Sequence, residues 1–503
     1  MKTIFTSLIH PQGQPSNKKI FLVLAIFTLA STGIYLVACT LYYRTGFPLD
    51  DSWIHQTFAR NLALNGEWAF YPGTPSNAST SPLWSALLAV GYGLKLMPYV
   101  WTYFLGMISL WAVSSFAEIT SRQLMAEYHP RFPWIGIAIV FEWHLVWAAV
   151  SGMETLLFTF LVTIVLLNLL AKSQRYLLLG MLTGISVWIR PEGITLLGPI
   201  CFVLVVTKRS KGELLKHLLN LLLGFGILFV LYLFFNLVLS GSPWPNTFYA
   251  KQAEFASYSQ TPFFIRWGKV AFQPLIGIGL ICLPGMVIYI LHITRRGDFK
   301  IYGVLCWILG FLAIYAWKLP VTYQYGRYVM PLIPIICILG LLGLFEIRYD
   351  FQKKNRWMVM TFWKTVLATA LIIFWGLGAT AYSKDVAYIE SEMVDTARWV
   401  SDNLQHGALI ATHDIGALGY FGNHKLLDLA GLVSPQVIPI IQNINELSDY
   451  MNKENVDYLV TFPDWYPELT DKLPEVFTTN GIFTSKMGGT NMVVYKWVNP
   501  LNP

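Results

Sequence analysis

Charge is scarce in this chain. Asp, Glu, Lys and Arg together make up 13% of its 503 residues, where an ordinary soluble domain carries about 25%. With 55% of residues hydrophobic and a mean hydropathy of +0.51, a water-soluble globule of this size could not hide its apolar surface, and that class is excluded. Cysteine is scarce as well. Cys39, Cys201, Cys282, Cys306 and Cys337 all lie in apolar stretches, which excludes a disulfide scaffold and a Cys-based metal motif and leaves them as small packing residues. The chain also lacks a phosphate-binding P-loop, a dinucleotide fingerprint, an internal repeat and a long Gly/Ser linker.

Uncharged apolar runs are abundant instead, at 20–40, 98–117, 155–170, 193–206, 217–239, 274–291, 301–317, 328–345 and 365–381. A helix rises 1.5 Å per residue, so about 20 residues cross a hydrocarbon layer about 30 Å thick. One such run could be a buried helix of a large core, but nine of them specify a polytopic α-helical membrane protein. The run 20–40 follows Lys18 and Lys19, is too long for a signal core and lacks a small-residue cleavage site, so it is expected to stay as the first membrane helix.

The net charge of +7 conceals a split. Residues 1–384 hold 29 basic and 13 acidic side chains, and residues 385–503 hold 6 basic and 15 acidic. The positive excess sits in short loops between apolar runs, where it orients a membrane protein, and is no nucleic-acid footprint. Basic clusters at Lys18–Lys19, Lys172 with Arg175, Lys208–Lys216, Arg295–Lys300 and Lys353–Arg356 mark the cytoplasmic side. The segments 41–81, 150–154, 190–193, 241–272, 318–327 and the tail then fall outside. The domains read as a cytoplasmic N-terminal segment 1–19, a membrane module 20–382 with an external loop 41–81, and an extracytoplasmic α/β domain 383–503. A cytoplasmic start and an external end require an odd number of crossings. A direct count gives twelve, and the ambiguity lies in 82–150, so eleven or thirteen are expected. In the tail the pattern predicts a helix near 388–404 and strands at 408–412, 456–461 and 491–497, with a glycine-rich turn around Gly416 and Gly419.

The loop before residue 60 carries the most chemistry. Asp50 and Asp51 stand at the start of a helical pattern, where either could cap the helix. A carboxylate at the membrane boundary could also take a proton from an attacking hydroxyl, and Asp50, which ends the loop, is the preferred base, with Asp51 close behind. Around the pair lie Trp53, His55, Trp68, Phe70, Tyr71 and Trp84, suited to headgroup anchoring or to stacking on a sugar. Residues 71–82 are expected to form an irregular loop framing a cleft.

Further ionisable groups interrupt apolar sequence on the same predicted side: Glu154 in Ser151-Gly152-Met153-Glu154-Thr155, Arg190 and Glu192 in Arg190-Pro191-Glu192-Gly193, and Arg327 beside Tyr328. Such groups are costly at membrane depth unless paired or facing a cavity, so their recurrence predicts one polar chamber. Arg190 and Arg327 suit a phosphate, although snorkelling to the interface would also explain them. Glu142 and His144 are candidates to line a polar path. In the tail, His413 and Asp414 end a predicted strand and could reach a substrate or simply satisfy their turn.

These motifs resemble those of the polytopic GT-C glycosyltransferases that use polyprenyl-phosphate sugars, especially the bacterial arabinofuranosyltransferase-like group. The likeness rests on Asp50-Asp51, Phe58-Ala59-Arg60-Asn61-Leu62 with Asn65-Gly66, Ser81-Pro82-Leu83-Trp84, Ser151-Gly152-Met153-Glu154-Thr155 and Arg190-Pro191-Glu192-Gly193, over about the first 200 residues. It implies a GT-C-like membrane module with a C-terminal soluble α/β domain. It also implies a polyprenyl-phosphate sugar donor among the membrane lipids, a glycan, lipid or protein acceptor, and a first-loop acidic catalytic centre carried over to Asp50 with Asp51. Arg190 and Arg327 are then expected at the donor phosphate, with His55, Trp84, Glu154, Glu192, Tyr328, His413 and Asp414 lining the substrate site. No compact ligand cluster requires a metal, while a transient Mg²⁺ or Mn²⁺ beside Asp50 and Asp51 is compatible with the pair. The rival readings are a transporter or flippase of a lipid-linked substrate, and a noncatalytic glycan-binding protein.

Overall fold

The computed structural model describes residues 16–125, 130–171, 173–208, 210–350, 353–486 and 488–498. Most of the expected N-terminal segment, Lys172, Arg209 and residues 126–129 of the ambiguous stretch 82–150 lie outside the described residues. Among the described residues seven helices are long and apolar enough to cross a membrane, and three shorter apolar helices accompany them. The chain is a multi-pass membrane protein.

The first helix, α1 (Asn17–Tyr42), runs into the loop that delivers the acidic pair to α2 (Asp51–Asn65). Where an irregular segment was expected, Ala69–Tyr71 and Thr74–Pro75 form a small antiparallel hairpin, β1 and β2, and the chain is irregular only from there to Ser81. The ambiguous stretch 82–150 holds α3 (Pro82–Gly93), α4 (Pro98–Leu124) and two half-length helices, α5 (Trp134–Val140) and α6 (Trp143–Ala149). Only α4 is long enough to cross alone, which is why a hydropathy count loses parity here. Glu142 sits at the break and caps α6, accepting from Leu145 N at 3.1 Å while its other oxygen meets His144 Nδ1 at 2.8 Å. Both residues are buried in protein and neither lines the main cavity, so they do not form the polar path expected of them.

Then follow α7 (Thr155–Leu170), α8 (Tyr176–Ile189), α9 (Leu197–Thr207), α10 (Lys211–Ser240), the shorter helices α11 (Asn246–Glu254) and α12 (Phe263–Phe272), α13 (Ile278–Arg295), α14 (Lys300–Lys318), α15 (Ile333–Asp350) and α16 (Lys353–Tyr388). On α10 the side chains of Leu219, Leu223, Ile227, Val230, Phe234 and Val238 all face outward. In water each exposed Å² would forfeit about 25 cal/mol; against lipid the same face is at home. Association inside the bilayer relies on close backbone approach instead. Helices α13 and α15 meet through Gly285 and Gly343, where a Cβ on Gly343 would collide with the Gly285 carbonyl oxygen.

The expected domain boundary at 382/383 falls inside a helix. α16 continues to Tyr388, passes through a π-helical turn at Ile389–Val394 and enters α17 (Asp395–Asn403). Beyond it lies a five-stranded sheet of β3 (Leu409–Thr412), β4 (Lys425–Asp428), β5 (Tyr458–Thr461), β6 (Glu475–Thr478) and β7 (Val493–Lys496), in the order β4-β3-β5-β7-β6. β3 is parallel to both its neighbours and β7 antiparallel to both of its own. A short helix, α18 (Gly416–Phe421), makes the β3-to-β4 crossover, and α19 (Ile444–Lys453) packs Leu447 and Met451 on the sheet core with Ala411, Leu427 and Leu459.

The tail domain is fastened tightly to the membrane module. Arg44 pairs with Glu390 at 2.9 Å and with Asp395 at 2.8 Å, Arg60 donates to Tyr420 O at 2.7 Å, and Leu426 N donates to Tyr71 OH at 3.0 Å. One hydrophobic core runs through both parts.

Candidate active site

A cavity of about 390 Å³ opens where the predicted external segments converge. Its wall takes Asp51 and His55 from α2, Ala78 and Thr80, Glu154 at the start of α7, Arg190 and Glu192, Lys251 of α11, Tyr315 and Lys318 of α14, Arg327 and Tyr328, and Leu432 of the tail domain. The apolar part of the wall is Ile194, Trp244, Phe248, Ile314, Trp317 and Leu319. Trp317, Phe248 and Ile314 are exposed at the protein's outer surface, whereas Arg327 is only 3% exposed. The cavity therefore runs from an apolar side to a buried charged end.

The charged end has two linked halves. In one, Asp51 makes an ion pair with Arg327 Nη2 and stands 3.6 Å from Lys251 Nζ. The Tyr328 hydroxyl accepts from Lys251 at 3.0 Å and from Arg327 at 3.1 Å. Burial alone would raise the Asp51 carboxyl, but Lys251 and then Arg327 outweigh it and hold it well below the usual carboxylate range. Burial alone would lower the Lys251 ammonium, but Asp51, Tyr328 and Tyr323 together outweigh it and hold it above its ordinary value. In the other half, Arg190 reaches Glu154 at 3.3 Å and Glu192 at 3.2 Å, and the Tyr315 hydroxyl donates to Glu192. His55 Nε2 lies 3.5 Å from Glu154, and His55 Nδ1 meets Ser85 Oγ at 2.9 Å. Burial would raise Glu154, but the His55 hydrogen bond and Arg190 outweigh it, lowering its pKa to about 2. The Tyr328 ring lies between the halves, its centroid 4.9 Å from the Arg190 guanidinium carbon and 5.0 Å from that of Arg327.

Some polar atoms of the lining residues are left over: Arg327 Nε and Nη1 are buried without a hydrogen-bond partner among the described residues, and so are Glu154 Oε2, Glu192 Oε2 and Thr247 Oγ1. A buried unpaired donor on a cation costs on the order of several kcal/mol unless a ligand satisfies it. The unpaired face of Arg327 is thus a ready acceptor for an anion.

Of the residues expected here, Asp51, His55, Glu154, Arg190, Glu192, Arg327 and Tyr328 line this one cavity. The preference for Asp50 is corrected by the geometry. Asp50 points away, and its carboxylate accepts from Gly416 N at 2.6 Å and Ala417 N at 2.8 Å, at the start of α18. A Cβ on Gly416 would collide with the Asp50 backbone, so the glycine there permits this close approach. Burial and the nearby Asp414 push Asp50 up while the two amides pull it down. Trp84 is also corrected: it is buried, and its indole N–H donates to Gly152 O at 3.0 Å, holding the turn that leads to Glu154. His413 and Asp414 do not reach the cavity wall. His413 contacts Tyr466 OH at 3.2 Å and Glu254 at 3.6 Å, on the tail side of α11.

Sequence reasoning missed Lys251, Lys318 and Tyr315. The two lysines carried a usable signal, because both stand in segments assigned to the same side as Asp51, Glu154, Arg190 and Arg327. Tyr315 carried none, lying within an apolar run.

Comparison with known proteins follows the same division of the chain. Residues 381–495 match a family described as Domain of unknown function (DUF8728). No curated protein matches by sequence. Among solved structures, ArnT from Cupriavidus metallidurans bound to undecaprenyl phosphate superposes with a TM-score of 0.55 at 13% identity, over 95% of this chain and 98% of that one. The Archaeoglobus fulgidus oligosaccharyltransferase in its apo form gives 0.59 at 10% identity, over 89% of this chain and 70% of that one. The mycobacterial arabinofuranosyltransferase AftD gives 0.44 at 15% identity, over 90% and 35%, too loose a superposition to carry weight. At such identities the likeness is one of fold, and the fold of this chain is that of the GT-C glycosyltransferases.

Proposed function

We propose that this protein transfers a sugar from a polyprenyl-phosphate donor to a hydroxyl of an envelope glycan, lipid or protein acceptor, on the outer face of the membrane. The observation that carries the reading is the cavity itself, apolar at the protein surface and charged in its depth, with two N–H groups of the buried Arg327 lacking partners among the described residues. A lipid-linked phosphate has the matching polarity along its length. The undecaprenyl phosphate of the similarly folded ArnT structure supports the ligand class. The basic clusters on the opposite side support an extracytoplasmic cavity and tail domain.

In the proposed reaction Arg327, Arg190 and Lys251 hold the donor phosphate. As the phosphate takes Lys251 and Arg327, Asp51 loses the two cations that depress its proton affinity and becomes a better base. The acceptor hydroxyl gives its proton to Asp51 and its oxygen bonds to the anomeric carbon. The bond from that carbon to the phosphate oxygen breaks, and its electron pair leaves with polyprenyl phosphate. The three cations stabilise the charge that gathers there. Among the described residues no group of three or more His, Cys, Asp or Glu is placed to hold a metal. The scheme uses Lys251 and Arg327 where a transient Mg²⁺ or Mn²⁺ would otherwise be invoked.

The test is purified protein in vesicles, offered a panel of polyprenyl-phosphate sugars and acceptors. Released lipid phosphate and glycosylated product should appear in equal amounts, and Asp51→Asn should reduce both by about 10²- to 10⁴-fold. Wild-type turnover in Asp51→Asn, or movement of labelled lipid between leaflets with no bond formed, would refute the proposal.

A further inference from the structure

The three charges that meet in the cavity, Asp51, Glu154 and Arg327, come from three backbone segments far apart in sequence. Inside the cavity the Asp51–Arg327 ion pair and the His55–Glu154 contact join those segments, and outside it two side chains on one face of α16 do so as well. Asp385 accepts from the Trp147 indole N–H at 2.9 Å through one oxygen, and from the Tyr325 hydroxyl at 3.2 Å through the other. One turn earlier, the hydroxyl of the fully buried Tyr382 lies 3.0 Å from Val150 O and 3.2 Å from Gly46 O. Gly46 precedes Asp51, Trp147 and Val150 precede Glu154, and Tyr325 precedes Arg327 by two residues. None of Asp385, Tyr382, Trp147 or Tyr325 lines the cavity.

The segment before Arg327 needs such an anchor. Gln324, Tyr325 and Gly326 are all left-handed, at φ 54°, 57° and 65°. The first two are L-residues that pay for this conformation and keep it only when their surroundings over-determine it. The Tyr325 ring packs edge-on against Trp143 and Trp147, with centroids 5.1 and 5.5 Å away, and its hydroxyl ends on Asp385. The strained turn in turn aims Arg327 at Asp51.

We propose that Asp385, with Tyr382, is a positioning residue: it holds the segments 46–51, 147–154 and 325–328 in the arrangement that brings Asp51, Glu154 and Arg327 to one cavity. Because α16 leads directly into the π-helical turn at Ile389–Val394, the same face ties that arrangement to the seating of the tail domain. The role is stated for the transfer reaction proposed above and rests on that reading.

The experiment compares wild type, Asp385→Ala, Tyr325→Phe and the double variant in the same vesicles, and follows backbone hydrogen exchange in each. Tyr325→Phe keeps the ring and removes one hydroxyl, so it tests the link even where Asp385→Ala folds poorly. Each single variant should lower kcat up to about 100-fold, as expected when reacting groups shift by about 1 Å. The double variant should be no slower than the slower single, because both break one link. Exchange should quicken at 147–154 and 325–328 and stay unchanged on α10. Wild-type kcat in Asp385→Ala, losses that multiply in the double variant, or unchanged exchange at both segments would overturn the proposal. Should wild type transfer no sugar from any donor, the transfer reading fails, while the exchange pattern still decides the positioning role.

Discussion

Successive side chains leave an α-helix about 100° apart, so at the start of α2 one carboxylate can face the cavity only if its neighbour does not. Asp51 takes the cavity with Arg327 and Lys251, and Asp50 takes the backbone amides of Gly416 and Ala417. Conservative substitution should separate the two roles. Asp50→Asn keeps one acceptor and sets an amide N–H against one of the two backbone N–H groups, at about 1–3 kcal/mol. It should lower the melting temperature and loosen the tail domain to proteolysis, whereas Asp51→Asn should leave the tail domain as resistant to proteolysis as in wild type and fail to turn over. Asp414 offers a test in pH. Burial raises its carboxyl, Asp51, Glu254 and Asp428 raise it further against the pull of His413, and its pKa stands at about 6. The folded state therefore holds this proton to higher pH than the unfolded chain. Its contribution is favourable below the ordinary carboxylate range of about 4 and is lost as pH rises toward about 6. Replacing Asp414 by Asn should raise the melting temperature at pH 7.5 and change it little at pH 4.

At the scale of elements, the packing of α13 on α15 depends on there being no side chain between them. A leucine at Gly343 would press into the Gly285 carbonyl. Overpacking of this kind costs about 1–3 kcal/mol, so Gly343→Leu should lower stability in a detergent melt far more than Gly310→Leu, where a Cβ would meet open space. The element that carries Arg327 behaves differently. Its left-handed turn is unfavourable locally and is held by contacts to α6 and α16, so changes there should appear in turnover before they appear in melting.

For the whole molecule, all cavity segments and the tail domain lie on one side. A cysteine at Glu468 of the tail should react with a membrane-impermeant maleimide in intact cells, and one at Lys211, at the start of α10, only after permeabilisation. Labelling at Lys211 with protection at Glu468 in intact cells would invert the assignment of sides, and labelling of both would refute their lying on opposite sides.

Much of this architecture was legible residue by residue. The apolar runs became helices close to their expected limits, and the strands expected at 408–412, 456–461 and 491–497 lie at Leu409–Thr412, Tyr458–Thr461 and Val493–Lys496. β4 and β6 escaped notice. Both lie at the edges of the sheet, each paired on one side only, and Glu475 and Val476 of β6 face solvent. Hydropathy and period are local properties, written in the composition of a single segment, so the sequence by itself determined the membrane class, the helices and the stock of charged residues near one face. Which way Asp50 and Asp51 turn, that Trp84 serves the Gly152 turn, and that Lys251 joins Arg327 depend on groups up to hundreds of residues away. Only the tertiary structure decided those, because a side chain's partner is set by which segments pack together, and no single segment carries that information.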